Sequence, residues 1–329
     1  MAALLTAGYN DLQLPNSDNT SIFLDMVLFH ASTDPLIFAI RACLFFSFVC
    51  WFQSMATGTH SWVDRMWSIV PVLYSLHYAI RDMLYWPKGV SFDYVPRVYI
   101  ASALVLVWGI RLTYNFYRRG GYSLDSEDYR WPYLAERTPM GIWFVFNIVF
   151  ICLFQHLLLV AITVPIYMAW KATFAETTPL NWIDAVATLL FLGALALEVT
   201  ADQQQWIFQE GKKKAIANKE VLTGDYKRGF STHGLFKYSR HPNFMGEMTM
   251  WWSIYLFSVA AGYPSYNAWI NPSIVGVVFL TLLFQGSTLF TEYLTTQKYP
   301  SYKLYKKTTS RFLPLPAGTS LDELEKKSK

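Results

Sequence analysis

Residues 234–252 read GLFKYSRHPNFMGEMTMWW, a polar block running straight into an apolar segment. The block is Tyr238-Ser239-Arg240-His241-Pro242-Asn243, and the segment carries a single carboxylate near its head, Glu247. Proline suits the first turn of a helix and not its interior, so the pattern predicts a helix that starts here. Asn243 and Glu247 then share a face, one turn apart. Arg240 and His241 lie just before that face, where the N–H groups of a helix start already favour anions. An electropositive mouth with one carboxylate inside, at a membrane surface, suits a phosphate-bearing cofactor meeting an oily substrate. A juxtamembrane cap with basic anchors is the plainer alternative.

The stretch GLFKYSRHPNFMGE resembles the C-terminal signature of the steroid 5-alpha-reductase superfamily, which includes the sterol C14 and C7 reductases. Within it, the chain looks most like a branch of largely uncharacterised membrane proteins with that same C-terminal domain. The resemblance covers residues 180–315 well and residues 60–120 loosely. It implies that Tyr238, Asn243 and Glu247, matching a GLFxY…N-x-x-G-E pattern, help to hold NADPH. The RHP tripeptide followed by Asn and an aromatic is also similar to isoprenylcysteine carboxyl methyltransferases. One departure stands out. Steroid 5-alpha reductases carry His and Arg before their final Tyr-Pro element, whereas Ser287 to Tyr293 here has no His and carries Glu292.

Composition points to a membrane protein. Hydrophobic residues make up 53% of the 329 and charged ones only 15%, well under the roughly 25% of soluble domains. Trp and Tyr cluster where apolar runs end, as in interfacial belts. The chain parses as all-α and polytopic, with about seven transmembrane helices: Leu36–Ala56, Trp62–Trp86, Val98–Tyr117, Ile142–Trp170, Trp182–Phe208, Glu247–Gly262 and Ser273–Leu294. Each approaches the ~20 residues that span a hydrocarbon core. Pro165 predicts a kink or tilt in the fourth.

Orientation follows from the basic residues. Of 27 Lys and Arg, Arg41, Arg65, Arg81 and Arg111 fall inside spans; with Arg65 and Arg81, near the ends of theirs, counted with the adjoining loops, four lie on the N-terminal side and 21 on the other. That asymmetry predicts a lumenal N-terminus and a cytosolic C-terminus. Residues 1–34, with four Asp and no Lys or Arg, read as an extracytosolic segment and not as a signal peptide. Their Asn19-Thr20-Ser21 fits the glycosylation pattern, which also arises by chance. Residues 35–315 form the membrane domain, and residues 316–329 a basic tail. That tail ends Lys326-Lys327-Ser328-Lys329 and looks like the dilysine retrieval signal of endoplasmic reticulum membrane proteins; a solvated basic tail is the alternative. Cys43, Cys50 and Cys152 all fall in spans, with neither disulfide nor metal spacing, so no metal is expected.

Polar stripes mark the spans. Glu198, Asp202, Gln205 and Gln209 fall on one face of the fifth; Arg111, Asn115 and Arg118 repeat on the third beside Tyr114 and Tyr117; Asp64, Ser68, Pro71 and Ser75 line the second. Ionisable groups in a span usually face a cavity or a partner. With Asn243 and Glu247 these stripes predict a cytosol-facing cofactor cavity, against the alternative of interhelical pairing alone. No GxGxxG or P-loop is present, so no Rossmann domain is expected.

The expectation is an endoplasmic reticulum reductase passing hydride from NADPH to a carbon–carbon double bond of a lipid-soluble substrate, with no nucleic-acid partner. Tyr238, Arg240, His241, Asn243, Glu247, Arg111, Asp202 and Tyr302 are the candidate cofactor residues. Tyr114, Asp64 or Glu198 would supply the proton, the carboxyls if burial keeps them protonated. The rival readings are an S-adenosylmethionine-dependent membrane methyltransferase and a non-catalytic lipid-binding protein. Oligomeric state is not encoded in any pattern.

Overall fold

A computed structural model describes residues 34–85, 96–173, 178–262 and 265–327. The Asn19 triplet and the last two residues of the tail lie outside the described residues. Regular structure is helical, apart from one parallel bridge pairing Ser239 with Ser310.

Five helical runs are long and apolar enough to cross a membrane: Pro35–Thr57, Pro96–Arg118, Met140–Ala172, Trp182–Ala217 and Asn267–Lys298. The described residues therefore show five helices able to span a membrane where the sequence predicts seven spans. The expected second span divides into Trp62–Met66 and Val70–Tyr85. Its first turn is committed to polar work, because Arg65 donates to the carbonyls of Gly121, Ser123, Leu124 and Ser126. The expected sixth is a continuous helix, Pro242–Gly262, but Asn243, Glu247, Thr249, Ser253 and Ser258 dilute its apolar length. Its start at Pro242 is the one the sequence predicts.

The described residues cluster into two compact units. The first takes the chain up to Leu189 together with Trp252–Phe279. Helix α1 (Pro35–Thr57) opens on Asp34, whose carboxylate accepts the Leu36 N–H at 2.8 Å, and ends at Gly58, whose φ of 71° only glycine adopts freely. Helices α2 (Trp62–Met66) and α3 (Val70–Tyr85) follow, then α4 (Pro96–Arg118). Gly109 lets α4 approach α3; a Cβ there would fall 2.2 Å from Val72 Cγ2. Beyond α5 (Arg130–Ala135), the fourth span runs as α6 (Met140–Phe146), a π-helical turn over Asn147–Phe154, α7 (Gln155–Ala161) and α8 (Val164–Ala172). The break between α7 and α8 sits just before Pro165, where a kink is expected; no sequence signal announces the π-helical turn. Arg97 and Asp184 form a buried fork, Nε to Oδ1 at 2.7 Å and Nη2 to Oδ2 at 2.8 Å. Arg97's other bonds end on Thr178 and Pro179.

The second unit holds Leu190–Trp251 and the chain from Leu280 onward. It contains most of α9 (Trp182–Ala217), then α10 (Gly224–Arg228), the start of α11 (Pro242–Gly262) and the end of α12 (Ile274–Lys298). Helices α13 (Tyr302–Thr308) and α14 (Leu321–Lys327) complete it. Phe230, Tyr302, Tyr305 and Leu321 make a small core. The tail is thus a packed part of this unit through Leu321, and Asp322 pairs with Arg228. Tyr302 packs edge-on to Phe230 at 4.9 Å and is 5% exposed.

Candidate functional site

The site is built in the second unit by two layers, one holding the polar motif and one presenting the start of α11. In the first layer the motif is stitched to residues 309–315. Arg240 N–H donates to the Ser310 carbonyl at 2.8 Å and His241 N–H to the Arg311 carbonyl at 3.0 Å. Leu315 N–H returns to the Tyr238 carbonyl at 3.2 Å, while the Tyr238 ring is 42% exposed. Tyr305 donates its hydroxyl to the Phe236 carbonyl.

One residue organises this layer, and it is Glu292. Its carboxylate is fully buried within α12. Arg240 grips it as a fork, Nε to Oε1 at 2.6 Å and Nη2 to Oε2 at 3.2 Å. His241 Nε2 lies 3.0 Å from Oε1, and Lys306 Nζ 3.6 Å from Oε2. Burial pushes the His241 pKa below its ordinary value, against the pull of Glu292. The ring is therefore neutral near pH 7 and donates its Nε2–H to the carboxylate. Arg240 sends its Nη1 hydrogens to the carbonyls of Lys306 and Thr309. Nearly all its donors are spent inside the protein, so Arg240 fixes the shape of the motif and offers little to a ligand.

A different cation is left open. Arg311 Nε is buried and has no hydrogen-bond partner, and Nη1 reaches only Gln285 Oε1 at 3.5 Å. An orphaned guanidinium N–H is costly unless something else binds it. Arg311 sits one peptide bond from the carbonyl held by Arg240, beside His241.

In the second layer α11 lies close against α9. Gly246 is the contact: a Cβ there would come within 2.9 Å of the Ala194 carbonyl and of Glu198 Cβ. That approach brings the stripe on α9 to the first turns of α11. Asn243 Nδ2 donates to Asp202 Oδ1 at 3.4 Å. Glu198 is 4% exposed and Glu247 6%, and Glu247 Oε1 accepts the Trp251 indole N–H at 2.8 Å. Among the candidates, then, Glu198, Asp202, Asn243 and Glu247 come together, and Arg240 and His241 form the adjoining layer.

Tyr238 and Tyr302 also lie in the second unit, whereas Asp64, Tyr114 and Arg111 belong to the first. Asp64 accepts the Trp131 indole N–H at 3.1 Å. Tyr114 is 62% exposed, with the Arg118 guanidinium 5.8 Å over its ring. Arg111 is half-buried on the same helix. Sequence reasoning missed Glu292 and Arg311 as site residues. A carboxylate inside an apolar span was a readable signal for Glu292; Arg311 carried none. No group of His, Cys, Asp and Glu that could hold a metal occurs among the described residues.

Comparison with known proteins gives a family and stops short of an activity. Residues 50–309 match the family described as "Protein of unknown function (DUF1295)". An uncharacterised protein of Schizosaccharomyces pombe is 35% identical over 306 residues, covering 91% of this chain and 85% of the yeast protein. No solved structure matches. The chain belongs to the DUF1295 family.

Proposed function

We propose, with that membership as premise, that the protein is an NADPH-dependent membrane reductase of a carbon–carbon double bond in a lipid-soluble substrate. The observation that carries the reading is the pairing of a half-buried arginine, its Nε–H buried and unmet, with a carboxylate–amide cluster in one unit. NADPH needs both kinds of partner: cations for its phosphates, and hydrogen-bonding groups for ribose and nicotinamide. Arg311 and Lys306 fit the first need, and Asn243, Glu247 and Asp202 the second. Arg240, His241 and Glu292 act behind them by fixing the loop that carries Arg311. When bound, NADPH supplies the hydride. The proton falls to Glu198, which is buried and packs at Gly246 between Asn243 and Glu247. Asp64 already holds an indole N–H, and the Tyr114 phenol is exposed, so neither serves as well.

The test is the nucleotide itself. Mass spectrometry of ligand co-purifying with the chain should find NADPH, and Arg311→Ala should lower NADPH affinity by about 10-fold or more, as expected for one charge-assisted bond. S-adenosylmethionine in its place would establish the methyltransferase reading, and no bound nucleotide at all the lipid-binding one.

We also propose residence in the endoplasmic reticulum with the C-terminus cytosolic. In sealed microsomes, added protease should remove a C-terminal tag and spare an N-terminal one; the reverse would overturn the orientation.

A further inference from the structure

A second polar constellation lies in the same unit and takes no part in the reading above. Gln204, Ile207 and Phe208 on α9 wall a cavity of about 480 Å³ with Tyr226, Asp225 and His233. With about 100° per residue, these α9 positions lie some 150° around the helix from the Glu198 and Asp202 stripe. The cavity therefore opens on the other side of α9 from Asn243.

Its chemistry is set by Asp225. That carboxylate is buried and accepts from the Thr232 N–H at 2.6 Å, the Thr232 hydroxyl at 2.9 Å and Arg228 Nη1 at 3.0 Å. Three donors, one of them a cation, converge on it. His233 Nδ1 lies 2.7 Å from Oδ2. A carboxylate only accepts, so Nδ1 donates to it, and in the neutral ring Nε2 is then the acceptor left for a ligand. His233 lines the cavity with its side chain 78% exposed, so the ring is within reach of a ligand there. No lysine or arginine lines the cavity among the described residues, and a carboxylate forms part of the wall, so an anionic ligand is disfavoured. Ile207, Phe208 and the Tyr226 ring ask for an apolar, flat body instead.

We infer that this cavity is a second ligand site, binding an uncharged, flat alcohol whose hydroxyl donates to His233 Nε2. The Asp225–His233 dyad reads the hydroxyl, and the α9 wall reads the ring.

The experiment uses the full chain in lipid nanodiscs, titrated with 2-naphthol and with its O-methylated counterpart, 2-methoxynaphthalene, against empty nanodiscs. Saturable binding is expected for both, with the alcohol tighter by about 5-fold or more, the worth of one hydrogen bond the ether cannot donate. His233→Ala should bring the alcohol down to the level of the ether and leave the ether unchanged. Its side chain is exposed, so the variant should melt as the native chain does. Ile207→Trp, which fills the cavity from an exposed position, should weaken both ligands. Equal affinity for alcohol and ether, an alcohol indifferent to His233→Ala, or no saturable binding would each overturn the inference. NADPH affinity should be untouched in His233→Ala, and its loss would show that the two sites are one.

Discussion

Two buried arginine–carboxylate forks, one in each unit, look alike and do different work. Arg97 and Asp184 form a closed account of charge: one guanidinium, one carboxylate, and the remaining donors ending on Thr178 and Pro179. Arg240 and Glu292 have the same fork, but the carboxylate also takes a neutral imidazole and Lys306, and Arg311 stands nearby with an unmet N–H. The first pair neutralises itself and clamps structure. The second leaves positive charge over, on a half-buried Arg311 and a partly exposed Lys306, and such a surplus attracts an anion. Burial and geometry alone would not have told them apart; the count of partners does.

The sharpest way to break this comparison is to remove each carboxylate. Asp184→Ala and Glu292→Ala each strand a buried guanidinium, so each should cost about 3–5 kcal/mol of stability, read from unfolding in detergent. Only Glu292→Ala should also abolish NADPH binding. Asp184→Asn and Glu292→Gln keep shape and offer the same contrast should the alanine forms fail to insert. If Asp184→Asn weakens NADPH as much as Glu292→Gln does, the two forks are of one kind.

A smaller effect is expected in the layer beside the second fork. Asn243→Ala and Glu247→Gln should each lower NADPH affinity by about 5- to 150-fold, the loss of one buried hydrogen bond at about 1–3 kcal/mol. Binding left intact in both variants would confine the cofactor role, if any, to the cations.

The smallest effect is a pH dependence that only the second fork should show. Burial lowers the His241 pKa in the fold from its ordinary 6.5. Below 6.5 the unfolded chain then takes up a proton that the folded one resists, so stability falls as pH drops from 6.5 towards the folded value and is complete above 6.5. His241→Gln should flatten the melting-temperature profile in that window. A profile unchanged by the substitution would mean that the imidazole is not titrating there.

Much of this was readable beforehand, and the residues show why. Glu198, Asp202, Asn243 and Glu247 were legible as a group because helical period places them on two faces that a short helix start can bring together. Five spans were legible as long apolar runs. The break in Trp62–Trp86 was not legible, because that stretch is apolar on average while Asp64 and Arg65 at its head bind loop and indole groups that only the folded chain supplies. Glu292 was noticed merely as a departure from a pattern. Its hydrogen-bond partners His241 and Arg240 lie 51 and 52 residues away, and no local rule links them. Arg311 follows no periodicity; its meaning comes entirely from the backbone stitched to His241.

That stitching has a consequence for how the protein is made. Arg240 takes its last acceptor from the Thr309 carbonyl, 69 residues later in the chain. During synthesis the motif is therefore complete in sequence long before it can be complete in shape, and a nascent chain halted after α12 holds Glu292 and Arg240 but neither the carbonyls that orient the guanidinium nor Arg311. The motif is finished last, by residues 306–315, so a chain that ends after α12 carries its long apolar helices and an unassembled motif.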